Sequence, residues 1–231
     1  TQSIETDADG NVLSALFHGT NSSYHLTKDS YKVRYGISNA SAYNNNTNNY
    51  IQIVRDQYQP SPGKAMRLAQ YGDYATATAE DNGLYYDFVL KHHNAFITFM
   101  PYAAAGASHD ALAQCKLWRV RISSDQMMSS TFYVDDNGLK TDNWPTTGTN
   151  YIDLYCSENS SLSASSTLNY NIAASQTDAK TNGAIMVLAP GTYTNVKVEY
   201  YVYDRVVGTI TVFERKFPTL KLNPGKNLPI Y

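Results

Sequence analysis

Along most of this chain apolar and polar residues alternate in short runs, and glycine, proline or asparagine breaks the runs every few positions. A period of two marks half-buried β-strands, whereas an amphipathic helix repeats its apolar positions every three to four residues. The segment "VKVEYYVYDRVVGTITVFE", 196–214, shows this best, with two alternating runs flanking "DRVVG" as a β-hairpin. The same reading expects strands at 11–18, 31–37, 50–55, 64–70, 84–90, 93–102, 115–123, 129–134, 151–156, 167–172, 184–189, 194–204, 207–217 and 227–231. Pro62-Gly63, Pro190-Gly191 and Pro224-Gly225 mark turns between them. In each, proline presets the first corner and glycine accepts positive φ at the second. Helix signals are confined to "SHDALAQC", 108–115, where Ser108 or Asp110 is placed to cap about two turns.

The pattern predicts an all-β protein with little helix, an antiparallel β-sandwich rather than a barrel. A change of composition at "AAAGASHDALAQ", 103–114, suggests a boundary and two sandwich domains, 1–104 and 105–231. One continuous sandwich with an N-terminal extension is the alternative, and either way the core draws on both parts. "YNNNTNNY", 43–50, and "SENSSLSASST", 157–167, are too poor in hydrophobes to pack and read as loops.

Composition narrows the function classes. Charged residues make up 16% of the chain, against about 25% in typical domains. Tyrosine occurs 20 times among many Asn, Ser and Thr, a mix suited to half-buried sheet faces and extracellular surfaces. A net charge of −2 gives no electrostatic basis for binding nucleic acid or an anionic membrane. No apolar run approaches the length of a membrane-spanning helix. The chain opens at Thr1 without Met, leader or lipid-acceptor Cys, so a processed or trimmed form is expected.

Candidate chemistry is sparse. "VLKHHNAFITFM", 89–100, sets His92 beside His93 in the most apolar run. Neighbours on a strand point to opposite faces, so the two cannot chelate one metal together. His18, His25 and His109 supply no ligand spacing, and a structural role is expected for the pair. Glu5, Asp7 and Asp9 alternate before Gly10, but the bidentate Glu of a calcium loop would fall on Leu16. A solvated turn is the plainer reading. Trp118 is expected in the core, while Trp144, in the "DNWP" loop, is an equal candidate for a sugar platform. Cys156 shares the parity of Ile152 and Leu154, whereas Cys115 lies on the opposite parity to Trp118, Val120 and Ile122. Unless a bulge intervenes, two thiols fit better than a disulfide. No nucleophile, dinucleotide or phosphate-binding motif is present. No enzyme, cofactor, metal or catalytic residue is therefore expected.

"LYYDFVLKHHNAFITF" resembles the fimbrillin, or Mfa-like, family of surface lipoproteins of gut and oral Gram-negative anaerobes. The resembling positions are Leu90, Lys91, His92, Ala95, Ile97, Thr98 and Phe99. "CKLWRVRISSDQMMSSTFYVDDNG", 115–138, is similar to the family's strand-loop-strand, with the step Ser130, Thr131, Phe132. "MVLAPGTYTNVKVEYYVYD" and the closing "LKLNPGKNLPIY" resemble its penultimate hairpin and last strand. Together these cover roughly 85–231. The resemblance implies two transthyretin-like sandwich domains, a lipid anchor in the outer membrane absent from this chain, and a cell-surface, fimbrial location. It also implies assembly with other pilin subunits or with itself, in which a protease removes an N-terminal strand and a neighbour's strand fills the groove. His92 becomes a scaffold position of the family. A glycan-binding surface lipoprotein, recognising host or microbial glycans or proteins, is the alternative function.

Overall fold

The computed structural model describes residues 3–6, 12–16, 26–36, 49–65, 67–103, 112, 114–140, 142, 144–162 and 166–231. The expected helix at 108–115, most of the acidic turn before Gly10 and the boundary at 104 lie largely outside them. Among the described residues seventeen strands follow the chain. They are β1 (Ser3–Thr6), β2 (Val12–Leu16), β3 (Ser30–Tyr35), β4 (Asn49–Ile53), β5 (Asp56–Tyr58), β6 (Ala75–Asp81), β7 (Tyr86–Asp87), β8 (Lys91–His92) and β9 (Ala95–Phe99). Then come β10 (Cys115–Ser123), β11 (Ser130–Asp135), β12 (Gly138–Leu139), β13 (Tyr151–Tyr155), β14 (Ala184–Leu188), β15 (Gly191–Asp204), β16 (Thr209–Leu222) and β17 (Asn227–Ile230). Helix among the described residues is limited to short turns, such as α1 (Gln176–Ala179), whose amide at Asp178 is capped by the Ser175 hydroxyl. The protein is all-β, with sheets stacked as a sandwich and no closed barrel.

One layer is a five-stranded sheet in the order β16-β15-β10-β13-β5. Its inward residues Leu117, Val120, Ile122, Ile152, Leu154, Val196, Val198 and Val202 share one core with the sheets β12-β11-β4 and β14-β9-β17. Ile51 and Ile53 of β4, Phe132 and Val134 of β11, and Ile97 and Phe99 of β9 come from those facing sheets. Most of these side chains are almost wholly removed from water, which at about 25 cal/mol per Å² is the dominant stabilising term. Each of the three sheets combines strands from before and after residue 104, so the core spans that point. A further sheet, β3-β6-β7 with β8 on β6, is built wholly from residues before 104, and β1 pairs with β2.

Several expected strands take another form. Residues 68–71 make a 3-10 turn between a left-handed Arg67 and a left-handed Gly72, where 64–70 was expected as a strand. A Cβ on Gly72 would lie 2.5 Å from the Gln52 carbonyl oxygen, so the turn docks against β4 only because the residue is glycine. The expected strand at 84–90 shrinks to β7, and 167–172 contributes one isolated bridge, at Asn171, rather than a ladder. In contrast, β6 ("ATATAED") was not foreseen, because alanine alternating with threonine presents too weak an apolar signal.

Candidate functional site

The two histidines serve different neighbours, as strand alternation requires. His92 Nδ1 lies 3.0 Å from Oδ1 of Asp73, a carboxylate with a side chain only 2% exposed. That hydrogen bond raises the His92 pKa, against desolvation. His93 is buried; its Nε2 is 2.6 Å from the Thr76 hydroxyl and its ring tilts over Tyr74. Burial lowers the His93 pKa. A Cβ on Gly138, at φ +123°, would come within 2.8 Å of His93 Nδ1, so the turn from β11 to β12 rests on this ring. The pair ties β8 to β6 and to the β11–β12 turn. Among the described residues no three His, Cys, Asp or Glu side chains gather as a metal site would need.

Cys115 and Cys156 are both buried thiols rather than a disulfide. A bulge in β10 between Leu117 and Arg119 explains their shared inward orientation. The extra residue is Trp118, and it shifts the parity so that Cys115 and Leu117 before it, and Val120 and Ile122 after it, all face the core.

The bulge turns Trp118 outward, against expectation, and of the two readings open for Trp144 the structure gives the core one. Trp144 is half-buried, donates from Nε1 to the Met127 carbonyl at 3.2 Å, and packs edge-on against Phe132 and Tyr193 at 5.5 and 5.7 Å. It joins the core cluster instead of offering a platform. Trp118, expected inside, is half-buried and lies on the outer face among Tyr155, Tyr201 and Arg119.

That outer face is ordered by register. Tyr58, Tyr155, Arg119, Tyr201 and Val212 form one row across all five strands, and Asp56, Asp153, Arg121, Glu199 and Glu214 form the next. Tyr58 and Tyr155 stack at 5.2 Å, and the Arg119 guanidinium sits 3.7 Å above the Tyr201 ring. Asp153, 3% exposed, takes two hydrogen bonds from Arg121 at 2.8 and 2.6 Å, while Arg119 stands farther off at 3.6 Å. Two buried donors here, Trp118 Nε1 and Arg119 Nε, have no hydrogen-bond partner. An unmet buried donor costs about 1–3 kcal/mol.

The two sides of the sandwich are finished differently. On one side, β5 and β14 are stitched together by buried glutamines. Gln57 donates to the Val187 carbonyl at 2.9 Å and accepts from the Val187 amide at 3.0 Å. Gln59 accepts from the Ile185 amide at 2.5 Å and from the Tyr170 hydroxyl at 3.2 Å. These side chains copy the pairing of an added strand and block the β14 edge. On the other side, β16 has β15 as its one ladder partner among the described residues. Its residues 209–216 are exposed on both faces, including Ile210, Val212 and Phe213. β17, as its proline predicts, is also an edge strand, parallel to β9.

No family model and no curated protein matches this chain. Among solved structures, a candidate cell adhesion protein from Bacteroides fragilis is similar at 12% identity and a TM-score of 0.37, over 68% of this chain and 58% of that one.

Proposed function

We propose that this chain is a non-enzymatic cell-surface protein of the fimbrillin type, structural and adhesive, which joins other subunits by β-strand addition. One observation supports the reading: the sandwich is sealed at β14 by Gln57 and Gln59, but among the described residues the long β16 edge has no second partner. An open edge is a row of main-chain donors and acceptors ready for another strand. The strand resemblance over roughly 85–231 points the same way, and the first 20 residues hold the segment that proteolysis would remove.

Limited proteolysis within those residues, followed by size-exclusion chromatography with and without a peptide of residues 220–231, tests it. Trimmed protein should form larger species or retain the peptide. A trimmed protein that stays monomeric and ignores the peptide overturns strand addition. Glycan binding is the second reading, favoured by the outward aromatic row around Trp118.

A further inference from the structure

We propose that the outer face around Trp118 and Arg119 binds an acidic polysaccharide, a sugar ring resting on Trp118 and its carboxylate or sulfate meeting the Arg119 guanidinium. The proposal rests on the glycan-binding reading and names the ligand class for it.

Shape argues for a chain-like ligand. Tyr58, Tyr155, Trp118 and Tyr201 lie on four neighbouring strands of this face, so with strands about 4.8 Å apart the aromatic surface extends about 14 Å. That length suits several linked sugar rings, whose apolar faces stack on aromatic side chains. Charge argues for an acid. Neighbouring charges on the face are matched in pairs: Arg55 with Asp56, Arg121 with Asp153, Lys197 with Glu199, Lys216 with Glu214. Arg119 reaches only the carboxylate that Arg121 already holds, and at the longer distance, so it carries the surplus positive charge. A sugar acid supplies oxygen acceptors and one negative charge per ring. A nucleic acid strand needs a groove of many unmatched cations, whereas most cations of this face are paired with carboxylates.

The test is isothermal titration at low salt with hexagalacturonate, a chondroitin sulfate hexasaccharide and maltohexaose. Wild type should bind one or both acids, more weakly as salt rises, and prefer them over the neutral maltohexaose by at least ~10-fold. Carboxylate and sulfate ligands are told apart by the first two arms. Arg119→Gln should erase the preference, Arg119→Lys should retain part of it, and Trp118→Ala should weaken all binding by ~10-fold or more. Should Arg119→Gln fail to fold, Tyr201→Leu removes the ring beneath the guanidinium and should reduce the preference. Equal binding of maltohexaose overturns the acidic class and leaves the glycan reading standing. Absence of binding to all three overturns both. Binding that Arg119→Gln and Trp118→Ala leave intact, in protein with normal melting, overturns the location.

Discussion

His92 and His93 are adjacent in sequence, yet their surroundings shift their pKa values in opposite directions. The Asp73 hydrogen bond raises the His92 pKa above its ordinary value of about 6.5. Its stabilising effect is therefore complete below about pH 6.5 and fades as pH rises through the raised folded value. Desolvation lowers the pKa of His93. Its effect is complete above about pH 6.5 and fades as pH falls through the lowered value. Urea midpoints measured from pH 5 to 8 should show both limbs: His92→Gln should flatten the alkaline one and His93→Gln the acid one. If His92→Gln leaves the alkaline limb unchanged, the Asp73 pair is not what raises that pKa. Replacing His92 by Ala should cost about 1–3 kcal/mol. The thiols give a second residue-scale expectation. Cys156 is fully buried, and burial pushes its pKa up, so it should not react with Ellman's reagent until the protein unfolds. Fast labelling of native Cys156 would contradict its placement.

At the scale of elements, the strands with strict alternation and punctuated ends were legible in the sequence. β15, β16 and the edge position of β17 follow from alternation, the Gly208 turn and Pro229. The bulge at Trp118 was not legible, because a single extra residue leaves no local mark except a parity conflict between Cys115 and Val120. That conflict was visible, but its resolution required knowing which neighbours β10 pairs with. The same gap hid the outward aromatic row, whose members Tyr58, Tyr155 and Tyr201 meet only through register, beside the bulged Trp118. The edge and centre of the five-stranded sheet should differ in hydrogen exchange. Amides of Arg119–Ile122, in a strand paired on both sides, should be among the slowest, and alternate amides of 209–216 among the fast ones. Uniform protection along β16 would mean that its outer edge is covered in solution.

On the scale of the whole molecule, three sheets each join strands from both sides of residue 104. The sequence shows where strands begin and end, but long-range pairing is decided by packing, so how the halves interlock was not legible. A fragment of residues 105–231 would lack β4, β5 and β9, baring the main-chain edges of β11, β13 and β14 and removing Ile51, Ile53, Ile97 and Phe99 from the core. It should therefore not unfold cooperatively on its own, whereas the full chain should show a single transition. A cooperative melt of the fragment would indicate that the halves are separable domains.

β9 has a consequence for how fast the molecule reaches this state. It sits between β14 and β17, partners that lie far along the chain, and pairs in parallel with the second. Neither ladder can form by local zippering, since each must first close a long loop. Contact order of this kind places folding in the milliseconds-to-seconds range. Until residues 227–230 arrive, one side of β9 presents the same bare main chain that β16 shows among the described residues.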